Sequence, residues 1–497
     1  MTREQPDDET LLFSLARTAL SEGREAEALP VLRTAAAGRQ SARLWQWTGL
    51  LERALEDHQQ ALLSFERAAV LDPKDGSIAH GRARVALEAG VPAGEFFNSA
   101  LRLLPSDGDV LLGYAAAMFA DGHADAAEKL LDHMLVRSPF WIEGHMQLAQ
   151  LRSTMGKKDQ ATSSLERSLK LHPAGEQLWI ALFRILLQAE KFPELDEAVA
   201  QARQSPLRAD AALLQYETIA AVERRQVDRA DRLFGAMPQE MRQALEVWRI
   251  RHLLRTGRID AACRLIDAAL SSDRALTIWP YAAIAWRLAG DPRWEWLEGD
   301  LARLVSVIDL SAEISDIGSL EQSLRQLHAG KGEFLDQSVR GGSQTDGPLF
   351  TKVDPQIRAL RAIIVGAVRR HIGSLPPVDT RHPLLGLPRD RNIGFSGSWS
   401  VLLRSAGFHA NHVHPEGWIS SALYIHLPTK AASDPPTAGW LTLGEPQAEL
   451  GLELEPLLQI EPKPGRLILF PSYTWHGTRP FSEGERLTVA FDVRRPI

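Results

Sequence analysis

The chain has one cysteine, Cys263, so no disulfide can close within it, and a reducing compartment is the natural setting. No apolar run reaches the length of a membrane-spanning helix. The first residues, Met1-Thr2-Arg3-Glu4-Gln5-Pro6-Asp7-Asp8-Glu9, lack the apolar core of a signal peptide. Excess positive charge is missing too. Lys and Arg number 56 against 63 Asp and Glu, a net charge of -7, which argues against a nucleic-acid partner. No phosphate-binding glycine loop, nucleophilic triad or zinc-finger spacing stands out. The expectation is a cytoplasmic protein that binds neither membrane nor nucleic acid, with Cys263 in a helix core.

At 497 residues the chain is too long for one core and predicts two or three domains. Hydrophobic residues make up 44% and charged residues 24%, as in globular proteins. Residues 1–300 have apolar positions at helical spacing. Pro73, Pro105, Pro139, Pro173, Pro206 and Pro238 follow one another at intervals of 32, 34, 34, 33 and 32. Gly49, Ala61, Phe65 and Ala68 before Pro73 recur as Gly81, Ala93, Phe97 and Ala100 before Pro105. Ala127 and Ala161 fill the small position in the next two units. A period of this length predicts stacked helix pairs, about seven to eight between residues 8 and 300. Small residues let helices approach, and proline cannot continue one.

This pattern resembles the tetratricopeptide repeat (TPR), a helix-turn-helix unit. The resemblance implies an all-α TPR solenoid over 1–300 whose groove takes a protein or peptide. A capping helix or linker is expected over 301–334, and a second domain over 335–497.

In that last part the texture changes. A helix is expected over 355–371, and Gly373 to Gly397 is rich in Pro and Gly. Short β-branched and aromatic runs predict strands at 399–404, 408–414, 418–427, 439–444, 466–471 and 487–493. Such a series suggests a jelly roll. Residues 428–438 read as a polar loop.

His412-Val413-His414 would place two imidazoles on one face of a strand. His476, after the turn Pro471-Ser472-Tyr473-Thr474-Trp475, is a plausible third ligand. Three ligands with open positions suit Fe(II). Arg486 offers a fork of donors for a carboxylate, with Thr488 on the same strand face.

Residues 335–497 resemble the Fe(II)/2-oxoglutarate-dependent dioxygenases. The resemblance rests on Gln337-Ser338-Val339-Arg340-Gly341-Gly342, Asn411 to Ser421, Pro464 to Ser472, His476-Gly477-Thr478 and Arg486 to Asp492. It implies a double-stranded β-helix, and consumption of 2-oxoglutarate and O2 as a C–H bond is hydroxylated. It also implies His412 and His476 as ligands, Arg486 with Thr488 as the co-substrate clamp, and Tyr424 as a hydrogen-bond donor to the co-substrate. The chain departs from the usual His-x-Asp/Glu pattern. The ligands are either His412, His414 and His476, or His414, Glu416 and His476. Pro415 would disturb strand alternation and favours the first set. Three histidines also fit an iron oxygenase that uses no oxoacid. A scaffold with a degenerate, metal-sensing domain is the other alternative.

Around these, His409 and His426 are expected at the surface or behind the ligands. Asn411 is a candidate to orient a ligand, and Arg404 is expected at the pocket or in a sheet-edge ion pair. Arg340 is expected in a loop over the pocket or at a domain junction. Trp399, Trp418, Trp440 and Trp475 are expected in the core.

Overall fold

The computed structural model describes residues 8–206, 210–272, 274–328, 332, 334–335, 338–429 and 431–496. Among them, eighteen α-helices run between Asp8 and Ala289. Six of these helices end at Leu71, Leu103, Arg137, Leu171, Gln204 and Ala236, two residues before the six recurring prolines. The punctuation read in the sequence is therefore helix termination.

The recurring glycines provide space. A Cβ at Gly49 would lie 2.7 Å from the Phe65 ring, and one at Gly81 only 2.3 Å from it. Gly113 stands in the same relation to Phe97, at 2.2 Å. Each aromatic ring is fully buried where two helices close on it.

The chain forms two compact units. The first holds Met1–Leu131 with Asp346–Ile363. In it, Thr351 Oγ1 donates to the carbonyl of Glu88 at the end of the helix Gly76–Glu88. Arg361 pairs with Glu56 at 2.9 Å.

The second unit holds Asp132–Thr345 and Ile364–Pro496. It contains the later helices and two antiparallel sheets. The strands are β1 (Ser306–Asp309), β2 (Val339–Gln344), β3 (Phe395–His409), β4 (Gly417–His426), β5 (Leu441–Leu443), β6 (Leu458–Ile460), β7 (Arg466–Pro471), β8 (His476–Thr478) and β9 (Arg486–Arg494). The larger sheet runs β1-β7-β4-β9-β3-β2 and the smaller β6-β5-β8. β4, β7 and β9 lie inside the larger sheet and are mostly buried, which explains their apolar runs. The stretch 301–334 contributes β1 and a helix, Ile317–Gln326.

One expectation needs correction. The predicted strands 399–404 and 408–414 are not two strands. The first continues through a bulge at Ala406, where φ is 62°, and ends at His409. Beyond it, His412 makes only an isolated bridge, to His476. Pro415 has no N–H to donate and turns the chain with Glu416, so pairing stops. β1, β2, β6 and β8 were not predicted, because three to six residues with glycine or no alternation leave no period to read.

Within this unit the helices and the sheet region are tied by named contacts. Arg287 donates to the carbonyls of Gly444 and Glu455, and Arg251 to Gln447. Trp475 Nε1 donates to the carbonyl of Pro280.

Candidate metal centre

Three imidazoles converge between the sheets, with ligand-capable atoms of His412, His414 and His476 all within 4.8 Å of one another. The backbones of His412 and His476 bond reciprocally, N to O, at 2.9 and 3.0 Å, which sets the spacing of two of the rings. Each ring is also fixed through Nδ1. That of His412 lies 2.8 Å from the Ala410 carbonyl, that of His476 3.0 Å from the Thr474 carbonyl, and that of His414 2.5 Å from Asp492 Oδ2. With Nδ1–H as the donor in each case, Nε2 carries the lone pair of each ring, the arrangement that suits a metal ligand, and that of His412 lies 3.2 Å from Ser338 Oγ.

The electrostatics favour neutral imidazoles at two positions. Burial pushes the pKa of His476 down to about 3, and burial with the neighbouring histidines drives His412 well below its usual value. His414 differs. Burial opposes its charge, yet the Asp492 carboxylate raises its pKa above the ordinary value. Asp492 is itself held by Ser420 Oγ, which donates to its Oδ1 at 2.6 Å.

Sequence reasoning gave Asp492 no role. The usable signal was the alternation Arg486, Thr488, Ala490, Asp492, which puts all four on one face of β9 and on the wall of one cavity. Ser338, whose Oγ lies 3.2 Å from His412 Nε2, was also without a role.

That cavity is narrow, about 50 Å3, and is lined by the three histidines, His409, Arg486 and Thr488 among others. Arg486 is 3% exposed. Its Nη1 donates to the Gly439 carbonyl, and its guanidinium lies 4.7 Å from the centre of the Tyr424 ring. Arg486 Nε and Tyr424 Oη are buried and make no hydrogen bond. An unsatisfied buried arginine donor on the wall of this cavity fits an anionic ligand. Tyr424 stands behind Arg486 and does not line the cavity.

Outside lies a wider cleft of about 650 Å3, walled by Arg251 and Tyr281 from the helices, by Glu190 from a turn between two helices, and by Arg340, Trp399 and Trp475. Arg340 crosses to Glu190 in an ion pair of 2.8 Å.

Glu416 is exposed on its turn and is not in the converging group. His409 is half-buried on the cavity wall, whereas His426 pairs with Glu321. Asn411 contacts no ligand ring through a hydrogen bond. Its amide donates to the Pro446 carbonyl, and its Oδ1 packs where a Cβ on Gly477 would fall. Arg404 is exposed and lines neither cavity. Trp418 and Trp475 are buried as expected, but Trp399 stacks on His414 at 5.5 Å and faces both cavities. Cys263 is half-buried on the helix Ile259–Ala269. Residues 1–7, Gln337 and Lys430 lie outside the described residues.

Residues 397–492 match the family model described as "Putative 2OG-Fe(II) oxygenase". The oxygenase match spans the three histidines, Tyr424, Arg486, Thr488 and Asp492. Residues 142–174 match a tetratricopeptide-repeat model. No curated protein matches the chain. Among solved structures, a Pseudomonas putida prolyl-4-hydroxylase is 18% identical with a TM-score of 0.28, covering 41% of this chain and 98% of its own. A TPR protein of Parabacteroides merdae is 18% identical with a TM-score of 0.32, covering 43% and 86%. A TPR protein of Thermus thermophilus is 20% identical with a TM-score of 0.28, covering 36% and 99%. All three scores are low, so the reading of the oxygenase domain rests on its own residues and the family match. No helix among the described residues is long and apolar enough to cross a membrane.

Proposed function

We propose that this protein is an Fe(II)/2-oxoglutarate-dependent dioxygenase, a hydroxylase whose TPR arm brings in a protein or peptide substrate. The observation that carries the reading is the pairing of two features in one cavity. Three imidazoles bring ligand-capable nitrogens within 4.8 Å of one another, and a buried arginine beside them has an unsatisfied donor. His412, His414 and His476 would hold Fe(II), whose bond to imidazole is ordinary chemistry. Arg486, with Thr488 beside it, would take the distal carboxylate of 2-oxoglutarate, and Tyr424 would support the guanidinium from behind. Bound together, Fe(II) and 2-oxoglutarate would supply the oxidising power that puts one oxygen atom of O2 into a C–H bond.

The chain's own residues do the rest. Asp492 keeps the Nδ1 proton on His414 and raises the basicity of its other nitrogen. The site lacks the usual carboxylate ligand, and the His414–Asp492 pair supplies negative charge one bond further out. Trp399 stacks on His414 and lines both cavities, where it would shield the ring from solvent. The outer cleft is wide enough for a side chain presented by a larger partner, and residues from the helices form part of its wall. A double-stranded β-helix agrees with the two antiparallel sheets. A cytoplasmic location agrees with the lone cysteine.

Three histidines without a carboxylate ligand also favour a second reading, an iron oxygenase that uses no oxoacid. Anaerobic visible absorption with Fe(II) separates the two. A charge-transfer band that needs 2-oxoglutarate, persists in Glu416→Ala and is lost in His476→Ala and Arg486→Ala supports the first. Iron binding without the band supports the second. Absence of iron binding would leave only a scaffold.

A further inference from the structure

The loop that aims His476 is held from the helical part of the second unit by three consecutive side chains. Tyr473 Oη donates to the Leu297 carbonyl at 3.0 Å, Thr474 Oγ1 to Glu298 Oε1 at 2.8 Å, and Trp475 Nε1 to the Pro280 carbonyl at 2.9 Å. The middle contact leads straight to the proposed metal. The Thr474 carbonyl is the acceptor for His476 Nδ1, so Thr474 joins Glu298, through its hydroxyl, to His476, through its main chain. Thr474 is fully buried, and its N–H donates to Pro471, which closes the turn.

Glu298 is an unusual residue for this place. It sits in a π-helical turn, Glu295–Gly299, a rare geometry that often marks a functional position. It is 4% exposed, and burial pushes its pKa up to about 7, with Arg287 the nearby charge that opposes the rise. A buried carboxyl is costly, and anchoring a loop needs only a backbone carbonyl, as the two flanking contacts illustrate. A carboxyl oxygen on a side chain can instead reach a hydroxyl that no backbone group meets.

We propose that Glu298 is a positioning residue for the metal centre, holding Thr474 and through it the orientation of His476. The inference rests on the metal-centre reading above. It makes the end of the helical array part of the site's support and gives the array a role besides recruitment.

Full-length protein, stripped of metal and titrated anaerobically with Co(II), tests this through visible ligand-field absorption. Circular dichroism checks the fold of each variant. Glu298→Gln keeps an acceptor oxygen and is expected to bind Co(II) within about threefold of the wild type. Glu298→Ala and Thr474→Val are expected to bind about 10–100-fold more weakly, with shifted bands. Thr474→Val keeps the side-chain shape and decides the matter if Glu298→Ala does not fold. Wild-type affinity and bands in Thr474→Val would overturn the proposal while leaving the metal centre standing. So would Glu298→Gln as weak as Glu298→Ala. If the wild type binds no Co(II), or His476→Ala binds it equally well, the metal-centre reading fails and this inference with it.

Discussion

Replacing Glu298 by Gln should alter how stability depends on pH, in a direction the structure determines. The carboxyl has an ordinary pKa of 4.5 and is raised to about 7 in the folded protein by burial. Between those values the folded protein keeps a proton that the unfolded chain has released. Unfolding then releases a proton, so stability falls as pH rises. The contribution is fully present below pH 4.5 and is lost as pH passes about 7. The rise from 4.5 to about 7 corresponds to about 3 kcal/mol. Gln carries no such proton and keeps an acceptor for Thr474. The measurement is denaturant unfolding of wild type and Glu298→Gln at pH steps from about 5 to 8.5. The stability difference between the two should move by up to about 3 kcal/mol in favour of the variant as pH rises. His328, His371 and His382, each pushed down to about 4 by burial, give the opposite slope, but equally in both proteins. A difference that stays constant within about 0.5 kcal/mol would refute the assignment of a neutral buried carboxyl.

Other expectations follow from the site and the repeats. Asp492→Asn should weaken Fe(II) or Co(II) binding about 10–100-fold by metal titration, because His414 loses its anionic partner while keeping a hydrogen-bond acceptor. Arg486→Lys should leave metal binding intact but raise the 2-oxoglutarate concentration needed for the charge-transfer band about tenfold or more, since an ammonium cannot offer the same fork. Gly81→Ala should cost about 1–3 kcal/mol, read as a lower melting temperature, because its Cβ would meet the Phe65 ring at 2.3 Å. In a Phe65→Leu background the same alanine should be nearly neutral or stabilising, as its helix propensity is then unopposed.

The repeats were legible because each signal has a local cause. A proline two residues past a helix end and a glycine under an aromatic ring leave marks in the sequence at fixed intervals. The convergence of His412, His414 and His476 was legible for a similar reason, since few other arrangements call for that spacing. Their orientation was not. Strand alternation was the expected device, but the structure uses one backbone bridge and three separate Nδ1 acceptors. Thr474 finds Glu298 176 residues earlier in the chain, and Asp492 meets His414 from 78 residues away. Contacts at such separation depend on how layers stack, which no local pattern records. Trp399 shows the same limit, since composition assigns an aromatic residue to a core and only packing turns one edge toward a cavity.

β9 has a consequence for assembly. Arg486, Thr488, Ala490 and Asp492 share one face, and the strand is locked on both sides, with Thr488 opposite Val401 on β3 and Tyr424 on β4. A one-residue slip would turn all four side chains to the other face at once. Arg486 and the partner of His414 would leave the cavity together. A copy with that slip would lose the side chains on which both the proposed metal support and the proposed anion clamp depend. Register along a single strand acts as a built-in test of correct folding, passed or failed as a whole.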